Sequence, residues 1–259
     1  MPKILLTGAA GRLGRHLRQR LAGDGRDVLA TDIVQPDGAA PVEIADLADR
    51  DALERLMSNG VDAVVHMGGI ATEAPWKNIL SANIEGTYNL FEAARRTGVR
   101  RIIYASSYHV IGMYRVAEVP LGIDAPVRPD TLYAVGKLFG ENLARLYHDK
   151  FGIECLVMRI CAANPPGTAR ELHLWCHPDD LTGLVRTGLD APTVGYRRVF
   201  ALSRCPEPWY VNDPVEALGW VPTHDVSALT PPDGISWPPA DPINTLQGAA
   251  FTRWPHFDD

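Results

Sequence analysis

Short apolar runs alternate with amphipathic stretches over the first 160 residues of the chain. The runs with strand composition lie at residues 3–7, 27–32, 41–44, 61–66, 101–105 and 153–160. Between them, apolar residues recur at helical spacing over residues 15–21, 49–57, 76–97 and 131–151. Strands that alternate with helices in this way form a parallel sheet with helices on both faces. The pattern therefore predicts an α/β fold with a Rossmann-type, doubly wound parallel sheet.

The pattern changes after residue 160. Prolines, tryptophans and short irregular pieces dominate the rest of the chain, with one helix expected near residues 179–189 and one strand at 198–202. We expect residues 1–160 to form the sheet domain and residues 161–259 to form a small irregular lobe packed on it. Ligands bind at the carboxyl ends of the strands in open α/β sheets, so the lobe is expected to cover a substrate there.

The composition argues against several kinds of binding partner and cellular location. The 259 residues carry a net charge of −6, and no basic stripe occurs, so a nucleic-acid partner is not expected. No apolar run approaches the roughly 20 residues of a membrane-spanning helix, and residues 1–3 lead straight into a strand without room for a signal peptide. The four cysteines lack a C-x-x-C spacing, which is typical of a reduced cytoplasmic protein without a metal site. A homo-oligomer is a possible state that this composition leaves open.

A glycine-rich loop follows the first predicted strand and leads into the first helix. Gly8, Gly11 and Gly14 stand three residues apart, with Arg12 and Leu13 inside the loop. A strand, a glycine turn and a helix N-terminus together present free backbone N–H groups to a pyrophosphate. Gly8 is expected to make the tight turn, Gly11 to let the phosphate approach the backbone, and Gly14 to let helix and strand pack closely. The loop predicts a dinucleotide site.

An acidic residue at the end of the second strand indicates which dinucleotide binds. Asp32 stands eighteen residues after Gly14, close to the spacing at which a carboxylate meets the adenosine ribose hydroxyls. The carboxylate would repel a 2′-phosphate, and Ile33 and Val34 beside it offer no arginine to bind one. The predicted cofactor is therefore NAD rather than NADP.

Two asparagines interrupt the apolar face of the helix predicted at residues 76–97. They are Asn83 and Asn89. A buried amide must be hydrogen-bonded, so one of them is expected to bind backbone near the cofactor, and we assign Asn83 to that place.

Loops after the third and fourth strands are also expected to contact the cofactor, because side chains there can reach the adenine and glycines let the backbone approach a ligand. These loop residues are Asp46, Leu47, Met67, Gly68 and Gly69.

A tyrosine and a lysine on one helical face are the candidate chemical groups. Tyr133 and Lys137 stand four residues apart, so the phenol and the ammonium lie on the same side of the helix. A nearby cation favours the phenolate and is expected to lower the phenol pKa from its ordinary value near 10. Ser107, at the end of the fifth strand, can hydrogen-bond the same substrate oxygen. Together they predict a general base that takes a hydroxyl proton while hydride leaves the same carbon for NAD.

These motifs resemble those of the extended short-chain dehydrogenases/reductases, the NAD-dependent epimerase/dehydratase family. The matching stretches are residues 7–14, Ser106 and Ser107 with Gly112 five residues further on, and Tyr133 with Lys137. The resemblance covers about the first 160 residues. It implies a Rossmann fold in which Ser107, Tyr133 and Lys137 form the catalytic triad.

A closer resemblance, to the bacterial uronate dehydrogenases, runs along the whole chain. It rests on residues 66–70, 105–114, 128–130, 139–145, 177–180 and 247–251. Those enzymes oxidise C1 of galacturonic or glucuronic acid with NAD and give an aldarolactone. The substrate contacts that the resemblance implies are Ser107, Tyr108, His109, Tyr133, Arg170 and Phe251. Among these, Arg170 is expected to bind the carboxylate.

Three positions depart from the uronate dehydrogenase pattern. Tyr108 stands where those enzymes usually have asparagine, and Ala71 and Ala162 stand where they have serine. Another acidic aldose, for example a sulfonated one, or a neutral aldose is therefore an alternative substrate. The alternative functions are a sugar epimerase or dehydratase and an NAD-binding regulatory protein that senses redox state. Epimerases usually carry a larger C-terminal domain, and such sensors usually lose the tyrosine and lysine pair.

Overall fold

A seven-stranded parallel sheet forms the centre of the part of the chain that the computed structural model describes, residues 2–38, 40–166, 168–228 and 245–254. Its strands are β1 (Ile4–Thr7), β2 (Val28–Asp32), β3 (Glu43–Ile44), β4 (Ala63–His66), β5 (Arg101–Ser107), β7 (Glu154–Ile160) and β8 (Tyr196–Ala201). A separate parallel pair joins β6 (Leu121–Gly122) to β9 (Tyr210–Val211). The order across the large sheet is β3-β2-β1-β4-β5-β7-β8. This is a doubly wound order, as the sequence predicts.

Helices cover both faces of the sheet. They are α1 (Arg12–Gly23), α2 (Arg50–Met57), α3 (Trp76–Ile79), α4 (Gly86–Thr97), α5 (Leu132–Phe151) and α6 (Pro178–Asp190). α1 packs with α6 on one face, and α2, α4 and α5 pack together on the other. Successive strand residues alternate between these two cores, since Ile102 belongs to one and Ile103 to the other. Burial on both sides explains why the strands read as continuous apolar runs.

The third predicted helix is not continuous. A π-helical turn, Leu80–Glu85, separates α3 from α4. Within this turn the Asn83 side chain accepts a hydrogen bond from the Ile70 N–H (2.8 Å) and donates one to the Ile70 carbonyl (2.9 Å). Gly86, just after the turn, packs so closely that an added Cβ would lie 2.7 Å from the Leu47 Cβ. The turn therefore ties this helix to the loop after β4, and π turns often occur at such functional places.

The ends of the helices follow local sequence rules. Asp49 and Thr131 cap α2 and α5, where each side chain accepts a backbone N–H from the residue three positions on. Gly98 and Gly152 end α4 and α5 in the left-handed conformation, with φ of 83° and 70°. α1 begins at Arg12, three residues earlier than predicted, because the glycine loop leads directly into it.

The chain beyond residue 160 extends the sheet and also closes one end of it. α6 and β8 lie close to the predicted helix and strand, and β8 forms the edge of the large sheet. Near the C-terminus, Gln247 is fully buried and its N–H donates to the Tyr114 carbonyl (2.8 Å). Residues 229–244 and 255–259 of the predicted lobe lie outside the described residues. Within the described ranges, the structure has no helix long and apolar enough to span a membrane.

Candidate active site

The loops at the carboxyl ends of the central strands enclose one cavity of about 1000 Å³. The N-terminal turns of α1 and α5 and the segment at residues 248–251 complete its walls. The predicted site residues that line it are Gly8, Gly11, Arg12, Leu13, Gly14, Asp32, Asp46, Leu47, Met67, Gly68, Gly69, Ser107, Tyr108, His109, Tyr133, Lys137, Arg170 and Phe251. Asn83 is not part of the lining, because it lies behind the loop after β4 and binds Ile70. The structure thus brings the predicted cofactor contacts, apart from Asn83, and the predicted substrate contacts to one cavity.

The glycine loop is shaped by close backbone contacts. Gly8 has a φ of +69°, and a Cβ added there would lie 2.7 Å from the Gly68 nitrogen. A Cβ at Gly14 would overlap the Gly8 carbonyl. Gly11 precedes α1 and has no side chain to cap the helix, so the first N–H groups of α1 are available to an anion. The loop therefore has the form of a phosphate cradle.

Polar side chains frame this cradle. The Asp32 carboxylate, at the end of β2, accepts hydrogen bonds from the N–H groups of Ala10 and Ile33, each at 2.8 Å. These bonds fix the carboxylate next to the glycine loop. The Arg12 guanidinium donates to the Ala163 carbonyl (2.8 Å) and so links α1 to the loop after β7. The exposed Asp46 accepts from the Ala48 N–H (2.9 Å).

A buried hydrogen-bond chain supports the loop after β4. The Thr7 hydroxyl accepts from the Gly68 N–H (3.1 Å) and lies 2.7 Å from His66 Nδ1. The contact with His66 joins the end of β1 to the end of β4. Burial lowers the pKa of His66 to about 3, and the nearby charge of Lys137 adds to this effect. His66 is therefore a packed structural residue at the strand end.

The candidate chemical groups meet at the start of α5. Tyr133 is buried, its phenol hydrogen-bonds the Ser107 hydroxyl, and its backbone N–H donates to the carboxylate of Glu73 (3.1 Å). The ammonium of Lys137 lies 5.7 Å from the centre of the Tyr133 ring and 5.5 Å from that of Tyr104. Glu73, a buried acid in the loop after β4, was not predicted from the sequence, since nothing local marks it as a partner of α5.

The pKa values correct one expectation. Burial raises the pKa of Tyr133 to about 12, and the hydrogen bond from Ser107 only partly opposes this rise. Burial also lowers the pKa of Lys137 to about 8. The prediction that Lys137 brings the phenol pKa below its ordinary value is therefore wrong for the protein by itself. Desolvation is the largest cause of both shifts, because the fold buries both side chains.

One part of the cavity wall contains a buried histidine that contacts an aspartate. His109 Nδ1 lies 2.6 Å from Asp130 Oδ2, and the two side chains are 7% and 0% exposed. Phe251 stacks on the His109 ring with their centres 3.9 Å apart. Burial lowers the pKa of His109, and the hydrogen bond to Asp130 opposes that shift. Asp130 was not singled out from the sequence, because only tertiary packing brings it to this ring. Gly112 and Gly248 pack directly against its carboxylate.

Arg170 lies in the short 3₁₀ turn Ala169–His173 and is only 9% exposed. Its Nη2 donates to the Tyr108 hydroxyl oxygen (3.1 Å) and to the Gln247 carbonyl. The guanidinium also lies over the rings of Tyr108 and Trp209, at 5.7 and 5.4 Å. The partners at Trp209 and Gln247 could not be inferred from the sequence, since they are 39 and 77 residues away along the chain.

A buried ion pair lies close to the end of β5. Arg159 on β7 donates two hydrogen bonds to the carboxylate of Glu141 on α5, at 2.9 and 2.8 Å. The same carboxylate accepts from the hydroxyl of Ser106 (2.6 Å), next to Ser107. The signal that could have revealed this network is an arginine near the carboxyl end of a mostly apolar strand. It fixes the end of β5 relative to α5.

One histidine cluster outside the cavity has a structural explanation. His177 and His224 stack with their ring centres 3.6 Å apart, close to Asp179. The Asp179 carboxylate is paired with Arg20 (2.8 Å) and His16 (2.9 Å), and His224 is bonded to a neighbouring aspartate. The arrangement therefore holds α1 and α6 together without needing an ion.

This chain matches proteins of known family. The model described as the NAD dependent epimerase/dehydratase family matches residues 4–173. The chain belongs to this family. Its relatives include a uronate dehydrogenase of Agrobacterium fabrum, which is 42% identical over 99% of both chains. The family assignment confirms the resemblance that the motifs indicated.

Solved structures of two similar proteins agree with this assignment. One is a mutant uronate dehydrogenase from Agrobacterium tumefaciens complexed with NAD, with a TM-score of 0.90 and 40% identity over 100% of both chains. The other is a glucuronic acid dehydrogenase from Chromohalobacter salexigens, with a TM-score of 0.88 and 38% identity over 98% of both chains. These likenesses confirm the predicted Rossmann-type α/β fold.

Proposed function

We propose that this protein catalyses the NAD-dependent oxidation of the C1 hemiacetal hydroxyl of a hexuronic acid, of the galacturonate or glucuronate type, to an aldarolactone. The observation that supports the substrate class is the buried Arg170 guanidinium in the same cavity as Ser107, Tyr133 and Lys137. The similarity to uronate dehydrogenases over nearly the whole chain supports the reaction class.

The cavity fits NAD. An added Cβ at Gly8 or Gly14 would collide with backbone, so glycine is needed for the tight turn that leads into the N-terminus of α1, where a pyrophosphate can bind. The residues we assign to the cofactor are Gly8, Gly11, Arg12, Leu13 and Gly14 around the pyrophosphate, Asp32 at the adenosine ribose, Asp46 and Leu47 near the adenine, and Met67, Gly68, Gly69, Tyr133 and Lys137 toward the nicotinamide. Asn83 serves this site by holding Ile70. NAD, when bound, supplies the acceptor for a hydride.

Side chains of the protein remove the proton from the C1 hydroxyl of the sugar. Tyr133 accepts the proton of the C1 hydroxyl as general base. Ser107, already hydrogen-bonded to that phenol, orients the same substrate oxygen. The charge of Lys137, whose ammonium lies 5.7 Å from the centre of the Tyr133 ring, favours the phenolate as it forms and so opposes the burial that raises the pKa of Tyr133 to about 12. Both side chains are shielded from water, so this electrostatic help acts in a medium of low dielectric constant.

The sugar is held by side chains from four separate segments. We assign the contacts to Ser107, Tyr108, His109, Tyr133, Arg170 and Phe251, which all line the cavity. Arg170 suits a carboxylate because its guanidinium is a permanent cation, and hydrogen bonds between a cation and a carboxylate are stronger than those between neutral groups. The stacked rings of His109 and Phe251 offer a flat apolar surface to the sugar ring.

We also propose that two parts of the chain have different functions. Residues 1–160 provide the cofactor site, and residues 161–259 provide Arg170 and Phe251 and so cover the substrate. The division is one of function, since β8 adds a strand to the same sheet. The four cysteines are free thiols, which supports the proposal that the protein works in the cytoplasm.

One experiment tests the proposed function. NADH formation is followed by absorbance with galacturonate, glucuronate, galactose and glucose, each with NAD and with NADP. We expect kcat/KM to be at least about tenfold higher for the acids, since a charged hydrogen bond contributes roughly 1.5–3 kcal/mol. Asp32 should favour NAD over NADP by about a hundredfold.

Other outcomes identify the alternatives. Equal kcat/KM for neutral and acidic sugars would indicate a neutral-aldose dehydrogenase. Conversion of a nucleotide sugar without net NADH would indicate an epimerase. NAD binding with no turnover of any of the four sugars would favour a redox-sensing regulator.

A further inference from the structure

Arg170 carries a buried positive charge that no described carboxylate neutralises. Its Nη2 donates to two neutral acceptors, the Tyr108 hydroxyl oxygen and the Gln247 carbonyl. Its Nε–H is buried and has no hydrogen-bond partner. A buried charge without a counter-charge is costly, and the cost is relieved when an anion binds beside it. Because Arg170 lines the cavity, such an anion would come from a ligand.

The direction of the bond between Arg170 and Tyr108 is fixed by chemistry. A guanidinium can only donate, so the phenol oxygen of Tyr108 is the acceptor in this 3.1 Å contact. The hydroxyl proton of Tyr108 is therefore left for another acceptor, and none of the residues that the structure describes takes it. Burial raises the pKa of Tyr108, so the proton stays on the oxygen at neutral pH. Tyr108 is a hydrogen-bond donor in need of an acceptor.

The position of Tyr108 limits what that acceptor can be. Its ring packs against the His109 ring, with centres 4.2 Å apart, and the residue is only 7% exposed. It follows Ser107 directly in the chain, and both line the cavity with Tyr133. Ala162, also in the lining, presents a methyl group, and its N–H and carbonyl are bonded to other backbone. Tyr108 is thus a neutral donor beside Arg170 that faces the ligand space.

We propose that Tyr108 is a specificity-determining residue whose hydroxyl donates a hydrogen bond to the same anionic group that Arg170 pairs with. This inference rests on the proposed function and refines it. One cationic donor and one neutral donor hold a carboxylate together, and each orients the other through their shared hydrogen bond. The ligand class is a sugar acid whose carboxylate lies at the end distant from the reacting carbon.

The first test replaces Tyr108 with phenylalanine. Tyr108→Phe keeps the ring against His109 and removes only the donor. We expect kcat/KM to fall about tenfold or more further for galacturonate than for galactose, because only galacturonate carries the anionic group. Tyr147→Phe is the matched control, because Tyr147 is a buried tyrosine that bonds Glu92 and does not line the cavity. Equal losses for both sugars, or no loss for either, would overturn the proposal.

The second test measures binding without turnover. Calorimetric titration with galactarate, a dicarboxylate, and galactitol, its neutral counterpart, is made on the wild type, Tyr108→Phe, Arg170→Met and the double variant. We expect Tyr108→Phe to weaken galactarate binding about tenfold more than it weakens galactitol binding. In the Arg170→Met background, removing the hydroxyl should still weaken galactarate binding at least about threefold.

The two tests separate the two proposals. If Tyr108→Phe has no effect in the Arg170→Met background, Tyr108 only orients Arg170 and the donor role is wrong. If the wild type oxidises no uronate but binds galactarate in a Tyr108-dependent way, the proposed function fails and the anion site stands. If the wild type oxidises uronates and Tyr108→Phe changes no preference, the function stands and the inference fails. A wild type that neither oxidises uronates nor binds galactarate would overturn both.

Discussion

The two ends of the cavity are built from different kinds of group. At the nucleotide end, most contacts available to a ligand are backbone groups, in the turn at Gly8 and at the start of α1. At the sugar end they are side chains, and Tyr108 and Arg170 meet across 62 residues of chain. A backbone site depends on spacing within one loop, whereas a side-chain site depends on the whole tertiary structure. Substitutions should therefore act through shape at the first end and through charge at the second.

The largest effect is expected where the two ends meet. Tyr133→Phe removes the base and leaves the packing of α5 nearly unchanged. We expect kcat for uronate oxidation to fall by at least about a hundredfold. The dissociation constant of NAD, measured by titration, should stay near the wild-type value, since no contact of the glycine loop is altered. Normal turnover by this variant would remove Tyr133 from the proposed chemistry.

The nucleotide end can be tested by adding one methyl group. Gly14→Ala places a Cβ against the Gly8 carbonyl, where backbone must shift. Such overpacking costs about 1–3 kcal/mol, so we expect NAD affinity to fall roughly tenfold while the affinity for galactarate changes little. Gly23→Ala is the control, because it lies in the same helix and its Cβ would meet nothing within 4 Å. Equal NAD affinities for the two variants would contradict the close packing of the loop.

A smaller effect is expected from the carboxylate behind His109. Asp130→Asn removes the negative charge from the 2.6 Å contact with His109 Nδ1 and keeps the shape. A neutral hydrogen bond is about half as strong, so we expect KM for galacturonate to rise about three- to tenfold with little change in NAD binding. Asp124→Asn serves as the control, since its side chain is 85% exposed and pairs with Arg198. An unchanged KM would show that Asp130 does not position His109.

The smallest effect at neutral pH concerns His66, under the nucleotide end. Its folded pKa of about 3 lies below the ordinary 6.5, so the unfolded chain binds a proton in this window that the folded protein does not. The free energy of unfolding should therefore fall as the pH falls below 6.5, by roughly 2–3 kcal/mol at pH 4.5 from this residue. His66→Asn keeps a polar side chain beside Thr7 and should lose that part of the slope.

The control for this pH series is His148→Asn, since His148 is a partly buried histidine that bonds the Ile153 carbonyl far from the cavity. Urea unfolding measured at several pH values between 6.5 and 4.5 gives the slope for each variant. A His66→Asn protein with the wild-type slope would show that His66 does not titrate in this way.

The contrast between the two ends also explains what the sequence could reveal. The glycine spacing, Asp32 and the pair Tyr133 and Lys137 are local patterns, and each lies in the cavity as expected. These patterns are recognisable in the sequence because each physical requirement, a tight turn or one helical face, is met within a few residues. The π turn at Leu80–Glu85 was not predicted, because the hydrogen bonds of Asn83 to Ile70 in another loop are tertiary contacts.

The electrostatic details required the structure. Asp130 and Gln247 lie in stretches that carry the family resemblance, but nothing in those stretches shows that they bind His109 and Arg170. The direction of the pKa shift at Tyr133 could not be predicted from the sequence either, since it depends on how completely the fold excludes water from the phenol. Residue identity suggests an attraction between two groups, and only packing decides whether desolvation exceeds it.

The hydrogen bond from the Gly248 N–H to the Gly112 carbonyl has a consequence for the order of events during synthesis. Every residue assigned to the cofactor precedes residue 138, whereas the sugar end needs Gln247 and Phe251. Domains fold as units during synthesis, and β8, the last strand of the large sheet, ends at Ala201. The sheet and its dinucleotide cradle can therefore form while the sugar pocket still lacks the wall that Gln247 and Phe251 supply. Affinity for the cofactor should thus be acquired earlier in synthesis than affinity for the sugar.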